Sequence, residues 1–240
     1  MKRLLVLMSL FIGVILLSAC DTMRVVRGTG GMTEEMREVS GFNAIALDGL
    51  GTMFIEQGDK ESLRIEAEDN LISFLESEIE ENTLLLRGRT GINIVPTQGI
   101  FYYLTVRDLE SISVNGLGNV DLRELNTPQL TLAINGGGEI NAQNLDTPQL
   151  EVKINGLGSL NMDGGQVQEQ HVTIDGGGSY SARTLASDAA EISINGLGSA
   201  TIWAEENLDV SIDGGGSVQY TGKPRVNQSI NGVGSVSALE

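Results

Sequence analysis

The chain is poor in the residues that enzymes use most. It has one cysteine, one histidine and one tryptophan in 240 residues, and 15 basic against 32 acidic side chains. With Cys20 as the single thiol, an internal disulfide and a thiolate metal cluster are both excluded. A single imidazole, His171, leaves one candidate for a histidine-based triad and none for a His-rich metal site. Beside Val172 at a strand start, it reads as a solvent-facing or capping residue. The shortage of basic residues gives a net charge of −17, which repels nucleic acid and anionic lipid and argues against both as partners. No apolar run suffices for a spanning helix, since the one candidate, Leu4 to Leu17, is short and ends abruptly.

That run has another reading. Met1-Lys2-Arg3 forms a basic start, Leu4 to Leu17 an apolar centre, and Leu17-Ser18-Ala19-Cys20 closes it with small residues before the cysteine. The tetrapeptide resembles the bacterial lipoprotein signal, in which the cysteine is acylated and becomes the first mature residue. Residues 1–19 are therefore expected to be a signal peptide, and Cys20 the lipid attachment point on the extracytoplasmic side of the cell envelope. Loss of Lys2 and Arg3 would leave 13 basic against 32 acidic residues, a net charge of −19. Asp21 resembles an inner-membrane retention residue of cells with two membranes.

Glycine is what the chain has in plenty, and it is periodic. Asn115-Gly-Leu-Gly118 recurs as Asn135-Gly-Gly-Gly138, Asn155-Gly-Leu-Gly158, Asp175-Gly-Gly-Gly178, Asn195-Gly-Leu-Gly198, Asp213-Gly-Gly-Gly216 and Asn231-Gly-Val-Gly234, at spacings of 20, 20, 20, 20, 18 and 18 residues. A fixed period of this size marks a repeat architecture. Before each motif two apolar columns alternate with polar residues, as in Ile112 and Val114 or Leu132 and Ile134; after it another pair follows, as in Val120 and Leu122 or Ile140 and Ala142. Alternation by two is a strand signal, and glycines cost about 1 kcal/mol each inside a helix. Each unit is thus strand, glycine corner, strand and a variable return.

The expected fold is all-β: a right-handed parallel β-helix over residues 111–240 with coils of about 20 residues, preceded by an irregular β-rich part over 36–110 with one short helix. Asn115, Asn135, Asn155, Asp175, Asn195, Asp213 and Asn231 would stack into a ladder bonding backbone groups at the turn. Leu117, Gly137, Leu157, Gly177, Leu197, Gly215 and Val233 would pack bulky against small between successive coils. Residues 20–35, with Gly28-Thr-Gly-Gly31, read as a flexible tether. From 36 on, Phe42 to Leu47, Thr52 to Gln57, Ser62 to Ala67, Thr83 to Arg87 and Phe101 to Val106 read as strands. Asn70 to Glu80 reads as an amphipathic helix with Leu71, Phe74, Leu75 and Ile79 on one face and a solvated face of the acids Glu76, Glu78, Glu80 and Glu81. Asp48-Gly-Leu-Gly51 repeats the corner inside this part.

Several phrases in this order, Arg37-Glu-Val-Ser-Gly-Phe-Asn-Ala-Ile45, Phe54-Ile-Glu-Gln-Gly58, Ile65-Glu-Ala-Glu-Asp-Asn-Leu71 and Leu104-Thr-Val106, with the glycine corners, resemble the auto-transporter adhesin, head GIN domain family over roughly residues 36 to 236. The resemblance implies a secreted or lipid-anchored bacterial protein with a β-helix-like fold, and brings no catalytic residue. The long stalk and membrane barrel of a true autotransporter are not expected from this sequence.

Other glycine chemistries fit poorly. A phosphate loop or dinucleotide site leads into a helix, whereas every Gly run here leads into a strand. A calcium β-roll needs an Asp three residues after each corner; it occurs only at Asp121, with Asn141, Asn161, Ser181, Thr201, Gln219 and Ser237 at the equivalent places. No cofactor, metal or catalytic residue is expected. The function read from the sequence is a non-enzymatic, lipid-anchored scaffold offering a polar face to a glycan, matrix or protein ligand; the alternative is a polysaccharide-active lyase or hydrolase, which would need a localised carboxylate cluster. In the last unit Gln228 replaces an aliphatic residue after Lys223-Pro224-Arg225, so end-to-end stacking is expected to be blunted and the protein mostly monomeric.

Overall fold

A computed structural model describes residues 24–239. It is a β-solenoid of about six turns, and among the described residues the only helical element is one short 3-10 turn. In each coil the strand before the corner pairs in parallel with its equivalents one period away: Asn115 lies against Asn135, Asn155 against Asp175, and Asn195 against Asp213. The strands after the corner stack likewise, Val120 on Ile140 on Leu160 on Tyr180. Both apolar columns of each strand face inward, and Ile112, Val114, Val120, Ile134, Ile154 and Ile174 are buried. Stacking buries one continuous core that no coil could enclose alone.

Two local adjustments keep this core filled. Tyr180 stands in a column of Leu160 and Ala200, and its hydroxyl crosses to donate to the Oε1 of buried Gln170 at 2.6 Å. Small neighbours, Ala190 and Ala200, leave volume for the pair. The shortened period of the last coils is absorbed by two register slips, between Ala182 and Ala186 and between Ser187 and Ala189.

The corners show why glycine is required. Gly136 has φ +139°, and a Cβ there would lie 2.5 Å from the carbonyl oxygen of Gly116 one coil away. Gly176 repeats this, with φ +124° and 2.7 Å to the Gly156 oxygen. Neither a left-handed backbone nor a contact below van der Waals distance suits a side chain. The middle position differs: a Cβ on Gly137 would meet only the Leu117 Cδ2, at 3.2 Å. Bulky and small residues therefore do alternate between coils, Leu117 leaning over Gly137 and Leu157 over Gly177.

The N-terminal part breaks this regularity. Ala44–Gly49 and Thr52–Gln57 form a coil flush with the next, with Asp48 against Asn115 and Phe54 against Asp121, so the Asp48 corner belongs to the same column. Outside it sits a coil from later in the chain, Thr83–Gly88 on Ala44–Gly49 and Phe101–Val106 on Thr52–Gln57. Antiparallel strands then cover the end: Ser62–Glu68 on Phe101–Val106, Met32–Arg37 on Ser62–Glu68, and Leu75–Glu80 on Thr83–Gly88. Leu63, Ile65, Leu71 and Leu75 seal the core from this side.

Two expectations are corrected here. The helix over Asn70 to Glu80 is reduced to the 3-10 turn Ile72–Phe74, followed by the strand Leu75–Glu80. Its acids sit at every second position, and Arg87 on the paired strand holds Glu76 and Glu78, with Arg89 adding to Glu76. Cross-strand ion pairs and a tight turn at Glu81 and Asn82, φ +47° and +68°, favour a hairpin over the helical face. The tether over residues 20–35 is also partly structured: Arg24–Arg27 pairs with Ile92–Val95, and Met32–Arg37 with Ser62–Glu68. The glycines between them are held by the buried carboxylate of Glu68. It accepts from the amides of Gly30 at 2.6 Å and Thr97 at 2.7 Å, and from the Thr97 hydroxyl at 2.7 Å. Burial would push this carboxyl up, but those donors outweigh it and hold it below its usual value.

At the other end, Arg225–Gly232 pairs only with the coil before it among the described residues, and Ile230 is 38 % exposed. The last coil is left as an edge, blunted by exposed Gln228 and by Lys223-Pro224-Arg225 rather than covered.

Candidate functional site

The most developed surface lies on the strands after the corner. Their outward positions align across the whole solenoid in the order Arg64, Tyr103, Phe54, Asp121, Asn141, Asn161, Ser181, Thr201, Gln219 and Ser237. The row begins with a stack. The rings of Phe54 and Tyr103 are 5.1 Å apart and inclined by 18°, and the Arg64 guanidinium covers the far face of this pair at 3.8 Å from the Tyr103 centroid. Glu34 at 3.0 Å and Glu66 at 3.7 Å hold Arg64 in place, and Tyr103 donates to Glu66 at 3.3 Å. Beside the stack is an open groove of about 440 Å³ rimmed by Met36, Glu56, Ser62, Thr105 and Arg123. From there the row continues as amides and hydroxyls, Asn141 donating to Asp121 at 3.3 Å and Asn161 to Asn141 at 2.9 Å.

Such a surface has definite chemistry. Half-exposed aromatic faces bind the apolar face of a flat polar ring, and guanidinium and carboxylate groups at the rim bind its hydroxyl or acidic substituents. None of these aromatic residues stood out as a site in the sequence. Phe54 and Tyr103 are outward positions of alternating strands, which the sequence does reveal; that strands 49 residues apart are neighbours, it does not.

The corner column forms a second feature. Asn115 donates to Asp48, Asn135 to Asn115 at 2.8 Å and Asn155 to Asn135 at 2.8 Å. Asn195 donates to Asp175 at 2.7 Å and Asn231 to Asp213 at 3.0 Å. These bonds run between side chains rather than to the backbone groups expected from the sequence. Each short ladder starts on an aspartate, because a carboxylate can only accept. Cys20 lies outside the described residues.

A third face carries Thr131, Glu151, His171 and Glu191 in register. The His171 Nδ1 lies 3.2 Å from Glu191, and Lys153 pairs with Glu151 at 2.7 Å. The Lys153 hydrogen bond, with the Lys153 charge, Thr131 and His171, holds Glu151 below its usual value despite partial burial. Among the described residues no group of three or more His, Cys, Asp or Glu side chains is placed to hold a metal ion.

Comparison with known proteins agrees with the architecture. The model of the family described as "Putative auto-transporter adhesin, head GIN domain" matches residues 41–224. A crystal structure described as a "putative adhesin" from Bacteroides fragilis superposes with a TM-score of 0.82 at 25% identity, covering 89% of this chain and 100% of that one. A second "putative adhesin", from Parabacteroides distasonis, gives 0.70 at 22% identity over 90% and 100% of the two chains. A "putative lipid binding protein" from the same species gives 0.68 at 19% identity, again over 90% and 100%. The last two share the fold alone. No protein among those of curated function matches the chain.

Proposed function

The chain belongs to the auto-transporter adhesin, head GIN domain family, and from that premise we propose that it is a non-enzymatic, lipid-anchored binding scaffold of the bacterial cell envelope. The observation that carries the reading is the continuous outer row from Arg64, Tyr103 and Phe54 to Ser237. It offers an aromatic platform at one end and flat amide and hydroxyl ladders along the rest. A parallel sheet repeats every ~4.8 Å, so an extended polar polymer laid along the axis meets the same kind of group at each coil. The ligand class favoured is a glycan, its sugar ring on Phe54 and its hydroxyls on the Asn141 and Asn161 ladder.

Anchoring rests on the Leu17-Ser18-Ala19-Cys20 sequence, in which the residue to be acylated comes four positions before Arg24, where the described residues start. Thereby the cap end of the solenoid is held near the membrane and the far coils project from it.

A binding screen of the protein against cell-wall and extracellular glycans tests the reading, with Phe54→Ala and Arg123→Ala as probes. Binding should fall at least tenfold in Phe54→Ala, equivalent to about 1.4 kcal/mol. In parallel, Cys20→Ser should release the protein from membranes or leave it unprocessed. Glycan cleavage by the parent would overturn the non-enzymatic reading; full membrane association and normal processing of Cys20→Ser would overturn the anchor.

A further inference from the structure

One aromatic side chain belongs neither to the Phe54 platform nor to the core. After residue 110 the chain has three aromatics, and Tyr180 and Tyr220 pack with the core; only Trp203, the single tryptophan, turns outward. It follows Thr201 by two residues on the strand Ser199–Gly214, so it lies on the face that carries the outer row. Buried Ile202 and Ala204 on either side fix that direction. The indole nitrogen donates to Glu205 at 2.7 Å, which pins the half-buried ring much as Tyr103 backs Phe54.

Trp203 and Phe54 stand at opposite ends of one floor. Between Phe54 and Thr201 the row steps through Asp121, Asn141, Asn161 and Ser181. Five steps of ~4.8 Å set the two rings about 24 Å apart along the axis. Trp203 lies two residues further along its strand than the row, so the line joining the rings crosses the floor obliquely, by ~7 Å. An arginine stands one coil inward of each ring. Arg123, two residues after Asp121, rims the Phe54 groove, and Arg183, two after Ser181, precedes Trp203 by one coil. Both are exposed and free of ion pairs among the described residues.

We propose that Phe54 and Trp203 are the two ends of one site, which holds a single uncharged, extended glycan of about six sugars along the solenoid axis. The inference rests on the glycan reading above and adds the length and charge of the ligand. A sugar ring lays its apolar face on each aromatic. The floor between supplies amides and hydroxyls at the coil spacing, and an extended cellulose-like chain advances per sugar by little more than one coil. Asn141 and Asn161 can then bond hydroxyls of successive sugars, while the two guanidinium groups donate near the ends. A polyanion is the poorer occupant, since Glu56, Asp121 and Asp163 stand on the same face of a chain of net charge −17. A short sugar engages one ring only. A chain that spans both makes its second contact within the same complex, which multiplies its affinity without any new group.

Because Trp203 is the only tryptophan, tryptophan emission reads one end of the site alone. Titration of the full chain with cellohexaose or chitohexaose should shift that emission for at least one of them, at a concentration at least tenfold below that of the matching disaccharide. Phe54→Ala, at the far end, should raise the hexasaccharide concentration for half the shift at least tenfold, at an unchanged unfolding midpoint. Trp203→Ala should weaken hexasaccharide binding in calorimetry by a similar factor, and polygalacturonate should bind at least tenfold more weakly than the hexasaccharide. No emission shift with either hexasaccharide, equal response to disaccharide and hexasaccharide, a shift indifferent to Phe54→Ala, unaltered binding by Trp203→Ala, or polygalacturonate binding as tight as the hexasaccharide overturns the proposal. Any of these, with a glycan ligand still found in the screen, leaves the reading of a glycan-binding scaffold standing; a screen without any glycan ligand overturns both.

Discussion

The two halves of the molecule bury similar cores by opposite means. In the repeat half the strands flanking each corner stack on their own counterparts, so Ile134 sees Val114 and Ile154, and Asn135 sees Asn115 and Asn155. In the N-terminal half, beyond the coil that carries Asp48 and the one stacked on it, unlike elements are fastened by individual contacts: Glu68 on Gly30 and Thr97, Arg37 on the carbonyl oxygen of Leu75, Arg87 on Glu76 and Glu78. A solenoid end exposes unpaired backbone, and antiparallel strands fastened in this way are how the chain covers it. Regular stacking makes a half tolerant of outward changes and intolerant at the corner; clasping makes a half sensitive at a few polar residues.

The largest expected effect tests the first part of that contrast. Gly136→Val forces a side chain into φ +139° and against the Gly116 carbonyl, and should cost about 3 kcal/mol or more in chemical denaturation. Gly137→Ala, one residue on, meets only a movable leucine methyl and should cost under ~1 kcal/mol. Similar losses for the two would mean that the corner is not held by backbone conformation.

A smaller and local effect distinguishes the cap. The carboxyl of Glu68 is held below its usual value in the folded protein, so its contribution is present above the unfolded value, about 4.3, and is lost as pH falls through the lower folded value. Hydrogen exchange should therefore show the amides of Gly30, Thr97 and Gln98 losing protection in acid before the corner amides of Gly137 and Gly177. Glu68→Gln should remove that pH dependence and open the same segment at neutral pH. Uniform loss of protection along the chain would show the clasp to be incidental.

The same contrast explains what the sequence made legible. The repeat half repeats its own environment, so one register read from Asn115 to Asn231 fixes strands, corners and inward columns together. The strands at Thr52 to Gln57 and Phe101 to Val106 were visible by alternation, but not their adjacency, and with it the Phe54–Tyr103 platform stayed hidden. The segment after Asn70 carried a helical pattern in Leu71, Phe74, Leu75 and Ile79. Pairing with Thr83–Gly88 and the Arg87 ion pairs overrode that local preference. The tether was misread because Gly28 and Gly30 looked free, whereas a carboxylate distant in sequence needs their bare backbone: a Cβ on Gly28 would collide with Glu68.

The smallest expected effect concerns the ladder and separates its two components. Asp175 accepts from Asn195 but has no proton to give Asn155, so the ladder is interrupted between those coils. Asp175→Asn supplies the missing donor while still accepting from Asn195, joining two runs into one that extends from Asp48 to Asn195. Stability should rise by about 0.5–1 kcal/mol, the net worth of one hydrogen bond. Part of any gain could come from removing a negative charge in a chain of net charge −17, and that part is screened by salt. A gain that persists in high salt belongs to the amide ladder; one that vanishes there belongs to charge. Asn135→Asp is the converse change, since it removes the donor to Asn115 and should cost a similar amount under the same conditions. If both substitutions are neutral in high salt, the corner ladder contributes nothing to stacking, and the glycine backbone together with the apolar columns carries the repeat half alone.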